Sequence, residues 1–439
     1  MFFVYSLVYT LGFILLLPRF IFDAIFKGKY AAGFRQRLGF VPAFDPHGRK
    51  VIWLHCVSVG EVNAARPLAA KLKERFPEKS LVVSTTTRTG QNLAKIAFAD
   101  TADLVFYFPF DWRSTVRRTL RRVRPSAVLL METELWFRFI HESYHSGVRL
   151  AVVNGRLSQR SVGRYAWIRE LVMRVLSCLD LALMQTKGDA RRLMDLGLRA
   201  TKVRVTGNLK TDIALDEPEA ALTDKFRKRF GITPDAPLIL AASTHAPEEE
   251  WLLAALKEVW RSSGNNLPRL MVAPRHPERF NEVAELIKKT GYTWVRRSEV
   301  ASDRDVSAEV ILLDSIGELR SCYQLAEIVF VGGSLIPHGG QSIFEPAAAG
   351  RAIVTGPHTA NFAVAVGDFA GKGALIQLPL TGTKQIVTQL TDTFTALLAD
   401  PSRRATLGAN ALAAMDTDRG AVDRTIEYLT PLLGAPLSR

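Results

Sequence analysis

Val51-Ile-Trp-Leu-His55-Cys-Val-Ser58-Val-Gly60-Glu61 runs from an apolar block through a small polar turn into a pattern of helical period. The same unit recurs at Leu81-Val-Val-Ser84, Ala127-Val-Leu-Leu-Met131, Leu150-Ala-Val-Val-Asn154 and Leu181-Ala-Leu-Met184. Short apolar runs that alternate with helical patterns read as buried parallel strands covered by helices. Val203-Arg-Val205 leads into Thr206-Gly-Asn-Leu-Lys-Thr-Asp212 and then an acidic, proline-containing stretch at 215–219, a composition expected of a boundary. The pattern then restarts at Leu238-Ile-Leu-Ala241, Leu270-Met-Val272, Val310-Ile-Leu-Leu313, Ile328-Val-Phe-Val331 and Ala352-Ile-Val354. The spacing predicts an α/β fold of two doubly wound units, over 27–212 and 225–439, joined by a linker at 213–224. Such sheets bind ligands in the crevice at their strand carboxyl ends.

A chain of 439 residues, 48% hydrophobic and 23% charged, can bury two such cores and is not disordered. Its formal charge of +14 calls for a polyanionic partner: nucleic acid, an anionic membrane surface or a phosphorylated substrate. The 3 cysteines, Cys56, Cys178 and Cys322, are too far apart for a disulfide scaffold or a cysteine zinc module. Residues 1–18 carry no charge, Arg19 interrupts, and apolar residues resume to Phe26. This length is borderline for a span, which needs about 20 apolar residues. Arg19, Lys27, Lys29, Arg35 and Arg37 follow the run, so residues 1–26 are expected to form an anchor or an interfacial helix with the rest of the chain cytoplasmic. A buried amphipathic helix of the first domain is the alternative.

The residues with chemical potential follow the strands. Glu61 opens a helix; it either complements the helix dipole or acts as a carboxylate base. Met131-Glu-Thr-Glu-Leu-Trp136 places Glu132 and Glu134 at a strand end, and Asn154-Gly-Arg-Leu-Ser158 adds polar groups beside them. Ser243-Thr-His245 and Pro274-Arg-His-Pro-Glu-Arg279 end two strands of the second half and suit a phosphate cradle. Gly332-Gly-Ser-Leu-Ile-Pro-His-Gly-Gly340-Gln-Ser-Ile-Phe-Glu345 would let the backbone approach a phosphate, with Glu345 placed to accept ribose hydroxyls. It is neither G-x-G-x-x-G nor a Walker loop. His245 and His276 lack a third ligand at a recognisable spacing, and Asp303-Arg-Asp305 and Asp416-Thr-Asp418 read as solvated charge, so no metal is expected. The run Arg113, Arg117, Arg118, Arg121, Arg122 and Arg124 reads as one helix face, solvated or set against lipid headgroups.

Taken in order, His55…Ser58-Val-Gly-Glu61, Met131-Glu-Thr-Glu-Leu-Trp136, Asn154-Gly-Arg-Leu-Ser158, Thr206-Gly-Asn-Leu-Lys210, Ser243-Thr-His245, Pro274-Arg-His-Pro-Glu-Arg-Phe280, Val331-Gly-Gly-Ser-Leu335, Glu345-Pro346 and Gly356-Pro-His358 resemble the bacterial Kdo transferases. The resemblance spans nearly the whole chain. It implies a GT-B glycosyltransferase with two Rossmann-like domains facing a cleft and an N-terminal membrane-associated helix. It also implies inverting, metal-independent transfer of 3-deoxy-D-manno-octulosonic acid (Kdo) from CMP-Kdo to lipid IVA at the cytoplasmic face of the inner membrane, in lipopolysaccharide assembly, with no cofactor and no nucleic acid.

Carried over residue by residue, the resemblance makes Glu61 the general base and gives Glu132 and Lys210 transition-state stabilisation. It places CMP against Pro274, Arg275, Ile316, Gly317, Glu318, Ser342, Ile343, Phe344 and Glu345. Gln341 and Ser342 stand where the family usually has His-Asn, and Phe137 where it commonly has Pro. Rival readings are a GT-B transferase or epimerase using another nucleotide-sugar, and a non-catalytic, basic, membrane-tethered binding protein. The basic residues do not interleave with aromatics as a nucleic-acid stacking platform would.

Overall fold

A computed structural model describes residues 1–27, 33–157, 159–215, 220–233, 236–262, 267–416 and 419–434. The chain forms two compact units, 1–213 with 418–439, and 214–417. The first holds β1 (Val51–Cys56), β2 (Ser80–Thr85), β3 (Leu104–Tyr107), β4 (Pro125–Met131), β5 (Arg149–Gly155), β6 (Leu181–Met184) and β7 (Val203–Val205). The second holds β8 (Leu238–Thr244), β9 (Arg269–Pro274), β10 (Trp294–Arg296), β11 (Val310–Leu312), β12 (Ile328–Val331), β13 (Ala352–Thr355) and β14 (Ile376–Gln377).

Both sheets are parallel, in the orders β3-β2-β1-β4-β5-β6-β7 and β10-β11-β9-β8-β12-β13-β14. The order reverses between β1 and β4 and between β8 and β12, the crevices where doubly wound sheets hold ligands. β1 is buried along its whole length, with Trp53 and Leu54 fully enclosed, because helices cover both faces.

The strands absent from the sequence reading, β3, β10 and β14, all lie at sheet edges. An edge strand pairs on one side and needs no continuous apolar run; β10 is half-buried throughout, and β14 spans 2 residues.

The assignment of 225–439 to one domain needs correction at its end. The helix Ala421–Gly434 returns to the first unit, where Ala421, Val422, Ile426, Leu429 and Leu433 join the core around Leu68 and Leu72. Asp212 caps it, accepting from the N–H groups of Gly420 (2.9 Å) and Val422 (2.7 Å), and Lys79 Nζ donates to the carbonyl of Leu433 (2.9 Å). The linker expectation changes as well: helices Leu209–Leu215 and Ala220–Phe230 occupy much of it, and 216–219 lie outside the described residues.

Residues Phe2–Lys27 form one helix. Its Phe2, Tyr5, Ser6, Tyr9, Thr10 and Phe13 side packs onto the first unit. Tyr5 donates to Asp111 (2.6 Å), Trp112 Nε1 donates to Thr10 (3.0 Å), and Arg138 donates to the Phe2 carbonyl (2.9 Å) and Ser6 (2.8 Å). Phe2 lies against His141, and Phe13 against Phe110 and Trp112. The opposite side leaves Phe3, Leu7, Val8, Leu11 and Leu15 exposed. Among the described residues no helix is long and apolar enough to cross a membrane.

Of the basic residues expected behind this helix, the side chains of Arg19 and Lys27 and all of Lys29 lie outside the described residues. Arg37 is buried: it donates to the carbonyl of Thr86 (2.5 Å) and covers the ring of Tyr107. Arg37 is thus a packed residue of the first unit rather than a free cation behind the apolar run.

Candidate active site

Glu61 is set by the way β1 ends. The strand stops at Cys56, Ser58 takes the N-cap position of the helix Val59–Arg75 without a side-chain cap bond, and Glu61 in the first turn reaches back over it. Its carboxylate accepts from the Val57 N–H (2.8 Å) and the Ser58 hydroxyl (3.0 Å). So Glu61 fills the capping role and is also the buried acid of this rim, 5% exposed. Burial, then the charges of Glu132 and Glu134, push its pKa up to about 8 against the two hydrogen bonds. Without ligand at neutral pH it is largely protonated.

Glu132 leaves β4 at φ +55°, a left-handed backbone that a non-glycine residue adopts at a cost. Its N–H still donates to the carbonyl of Val153 (2.9 Å). Lys210 Nζ donates to Glu132 Oε1 at 2.9 Å, with both side chains partly accessible. Residues far apart in sequence, Glu61, Glu132 and Lys210, thus meet at the β1/β4 switch. Glu134 joins them, its carboxyl pushed up to about 6 by burial and by Glu132.

Asn154 holds Lys210 in place. Also left-handed, at φ +55°, it accepts from the Leu209 N–H through Oδ1 (3.0 Å), at the start of the short helix that carries Lys210. Its Nδ2 and the Nε1 of Trp136 are buried without a partner among the described residues. The sequence marked Asn154 only as a polar group; its positive φ is the informative signal, and Ser158 lies outside the described residues. His55 is a core residue stacked on Phe108 (3.8 Å), with its pKa pushed down to about 3 by burial.

In the second unit the glycine pair after β12 approaches the backbone of its own chain. A Cβ on Gly332 would meet the Ser243 carbonyl oxygen at 2.6 Å. The N–H groups beyond it are occupied: Glu248 accepts from Gly333 (2.7 Å), Ser334 (2.9 Å) and Leu335 (2.9 Å), and also from His245 N–H (2.9 Å). This corrects the expectation that the backbone at the first glycine pair approaches a phosphate, since a carboxylate of the protein accepts from the N–H groups of 333–335. Its signal is the acidic first turn Glu248-Glu249-Glu250 directly after Ser243-Thr-His245.

The nucleotide residues do converge in part. Pro274 ends β9 buried, and Arg275 beyond it is exposed. The field of Arg275 acts on Glu345, as do Arg320 and the phenol of Tyr323. Arg320 and Tyr323 belong to the helix Leu319–Tyr323, which follows Ile316, Gly317 and Glu318, so this helix links that turn to Ser342–Glu345. Neither residue was marked in the sequence. Ile316 is exposed, Gly317 turns at φ +89°, and Glu318 pairs with Arg297 at 2.8 Å. Ser342 accepts from the Phe344 N–H at 3.4 Å, while Ile343 and Phe344 are core.

Asp305 is not solvated as expected: it is buried against Arg229 at 2.6 Å. Asp418 lies outside the described residues. Among the described residues no group of three or more His, Cys, Asp or Glu is placed to hold a metal ion.

Residues 32–213 match the family model for 3-deoxy-D-manno-octulosonic-acid transferase, the Kdo transferases. The 3-deoxy-D-manno-octulosonic acid transferase of Haemophilus influenzae is 33% identical over 405 residues, 92% of each chain. The chain belongs to the Kdo transferase family. It is a glycosyltransferase of lipopolysaccharide biosynthesis. The Bordetella pertussis transferase is also 33% identical, over 87% of each chain. A UDP-N-acetylglucosamine 2-epimerase structure from Listeria monocytogenes shares the two-unit fold, with TM-score 0.60 and 16% identity over 89% of this chain and 98% of its own. The Kdo transferase thus has a GT-B-like pair of parallel-sheet domains.

Proposed function

We propose that this Kdo transferase moves Kdo from CMP-Kdo to lipid IVA with inversion, in a single displacement that uses no metal. The observation that carries the reading is the constellation Glu61, Glu132 and Lys210 at one strand-end switch. In-line displacement needs a base for the acceptor hydroxyl and a stabilised leaving phosphate on the opposite side.

Glu61 is the base. It must first ionise, and its two donors, Val57 N–H and Ser58, stabilise the carboxylate once formed. Glu132 raises the basicity of Glu61 through its negative charge. Lys210 tempers that charge and offers remaining N–H groups to an anionic substrate. In the second unit Arg275 and Glu345 suit a nucleotide, with the guanidinium for phosphate and the carboxylate for ribose hydroxyls.

The enzyme is further proposed to work at the cytoplasmic face of the inner membrane, lying on it through Phe2–Lys27. The apolar side, Phe3, Leu7, Val8, Leu11 and Leu15, fits an interfacial helix held by the protein on its other side. Mass analysis of lipid IVA after incubation with a CMP-Kdo-generating system tests the reading. Lipid heavier by Kdo is expected, EDTA should not prevent it, and unchanged lipid beside turnover of a UDP-sugar would contradict it.

A further inference from the structure

Three imidazoles meet at the carboxyl rim of the second sheet. His245 follows β8, His276 follows β9 and His338 lies in the loop after β12; these strands are neighbours in the order β9-β8-β12. The His245 ring lies 5.2 Å from that of His276 and 4.1 Å from that of His338. Gln341 Nε2 is 3.2 Å from His245 Nε2. His245 is buried, while His276, His338 and Arg275 are exposed.

Near these rings Arg279 is paired with Glu249 and Glu282, and Arg275 is the exposed cation beside them. Arg275 and Arg279 both act on His245 and on His276. The nearby carboxylates are engaged: Glu248 by four backbone N–H groups, Glu249 by Thr244 and Arg279, and Glu282 by Arg279. Glu278 acts on His276 against the cations. Burial, then His338, His276, Arg279 and Arg275, hold the His245 pKa down to about 4, and His276 is lowered by burial and Arg275. His245 and His276 therefore stand neutral at pH 7 when empty, beside the exposed guanidinium of Arg275.

An oxyanion would complete this arrangement. We propose that His245, His276 and His338, with Arg275, form the pocket for an oxyanion of the donor, and that its binding draws one proton onto the imidazoles. The inference rests on the CMP-sugar reading and adds the residues that take the anion and their proton coupling. The proton comes from solvent and stays on the ring, where it balances charge on the leaving phosphate. Gln341 can follow the change by turning its amide, presenting Oε1 to a protonated His245 in place of Nε2. This gives a purpose to Gln in the position where the resemblance expects His.

The sign of the coupling distinguishes it from titration of the ligand itself. A phosphate monoester has its second pKa near 6. A cationic pocket favours the dianion, so a ligand-borne proton would be released on binding. Rings whose pKa rises on binding take a proton up, and affinity then falls by up to about tenfold per pH unit above the bound-state pKa.

Titration calorimetry of CMP into the full-length enzyme at pH 7.5, in buffers of different ionisation enthalpy, measures the proton count. Uptake of up to about one proton per CMP is expected, with none for cytidine; uptake with free Kdo but not CMP would move the pocket from phosphate to carboxylate and overturn the phosphate assignment. The double variant His276→Gln/His338→Gln changes exposed residues; it should bind CMP about tenfold more weakly and lose the uptake. CMP binding without uptake, or uptake unchanged in that variant, overturns the inference and leaves the donor reading standing. No CMP binding at millimolar concentration removes both.

Discussion

Glu61 carries a tension between stability and chemistry. A base must be ionised, yet burial and two neighbouring carboxylates hold its pKa up to about 8. Hence kcat/KM should climb with pH and level off above about 8. Glu132→Gln removes a charge that raises this pKa, so its rise should begin at lower pH even as the plateau drops; an unshifted profile would contradict the coupling. Stability carries the opposite sign. The carboxyl ionises near 4.3 in the unfolded chain, so between there and about pH 8 the folded state binds more protons and loses stability as pH rises. Glu61→Gln should therefore melt higher than the parent at pH 8 and equally at pH 4; the reverse order would refute the assigned shift. Glu248 shows what a motif can hide. A glycine pair after a strand looks the same whether a substrate phosphate or a carboxylate of the protein fills its N–H groups, and only the fold brings residue 248 to 333–335. Glu248→Ala leaves four N–H groups without their acceptor and should destabilise the second unit by about 3 kcal/mol or more, since a single unsatisfied buried group costs roughly 1–3. A denaturant midpoint shift equivalent to under about 1 kcal/mol would show that water replaces the carboxylate.

The N-terminal helix has two faces, one docked and one exposed. Its polar and aromatic side closes over Asp111, which is fully buried and accepts from Tyr5 and from the Arg138 and Phe139 N–H groups. Deleting residues 1–26 should thus lower Tm as well as any membrane binding, because the proposed tether is also part of the domain. Leu7→Glu with Leu11→Glu changes the exposed side alone. It should release the enzyme from anionic vesicles in sedimentation while Tm holds; a matching fall in Tm would show that these residues pack within the protein. An apolar run was legible here from composition. The docked face was not, because Tyr5, Tyr9 and Thr10 read equally as the polar flecks of a membrane segment until Asp111 and Trp112 are seen to meet them. The interior strands were legible from their apolar runs, whereas β3, β10 and β14 were lost because an edge strand needs burial on one side only.

Each unit repeats one plan, a seven-stranded parallel sheet whose order reverses once, the place where such sheets hold ligands. Glu132 just past β4, Asn154 near the end of β5 and Ser243 near the end of β8 all have positive φ, so strained backbone collects at these rims. The division into units was legible from the restart of the strand pattern at Leu238. The destination of the last helix was not, since its apolar stripe fits either core and the Asp212 cap that decides it lies about two hundred residues earlier. Ending the chain at residue 417 should strip the apolar cover from Leu68 and Leu72 and speed amide exchange across the first sheet, with the second sheet unaffected; equal loss in both would mean that the helix serves the whole chain. The central claim, that Glu61 is the base of Kdo transfer, is tested most directly by single-turnover transfer from CMP-Kdo to lipid IVA with Glu61→Gln. A rate lowered by about 10²–10⁴-fold with CMP affinity intact is the predicted result; near-parental transfer by this variant would contradict it.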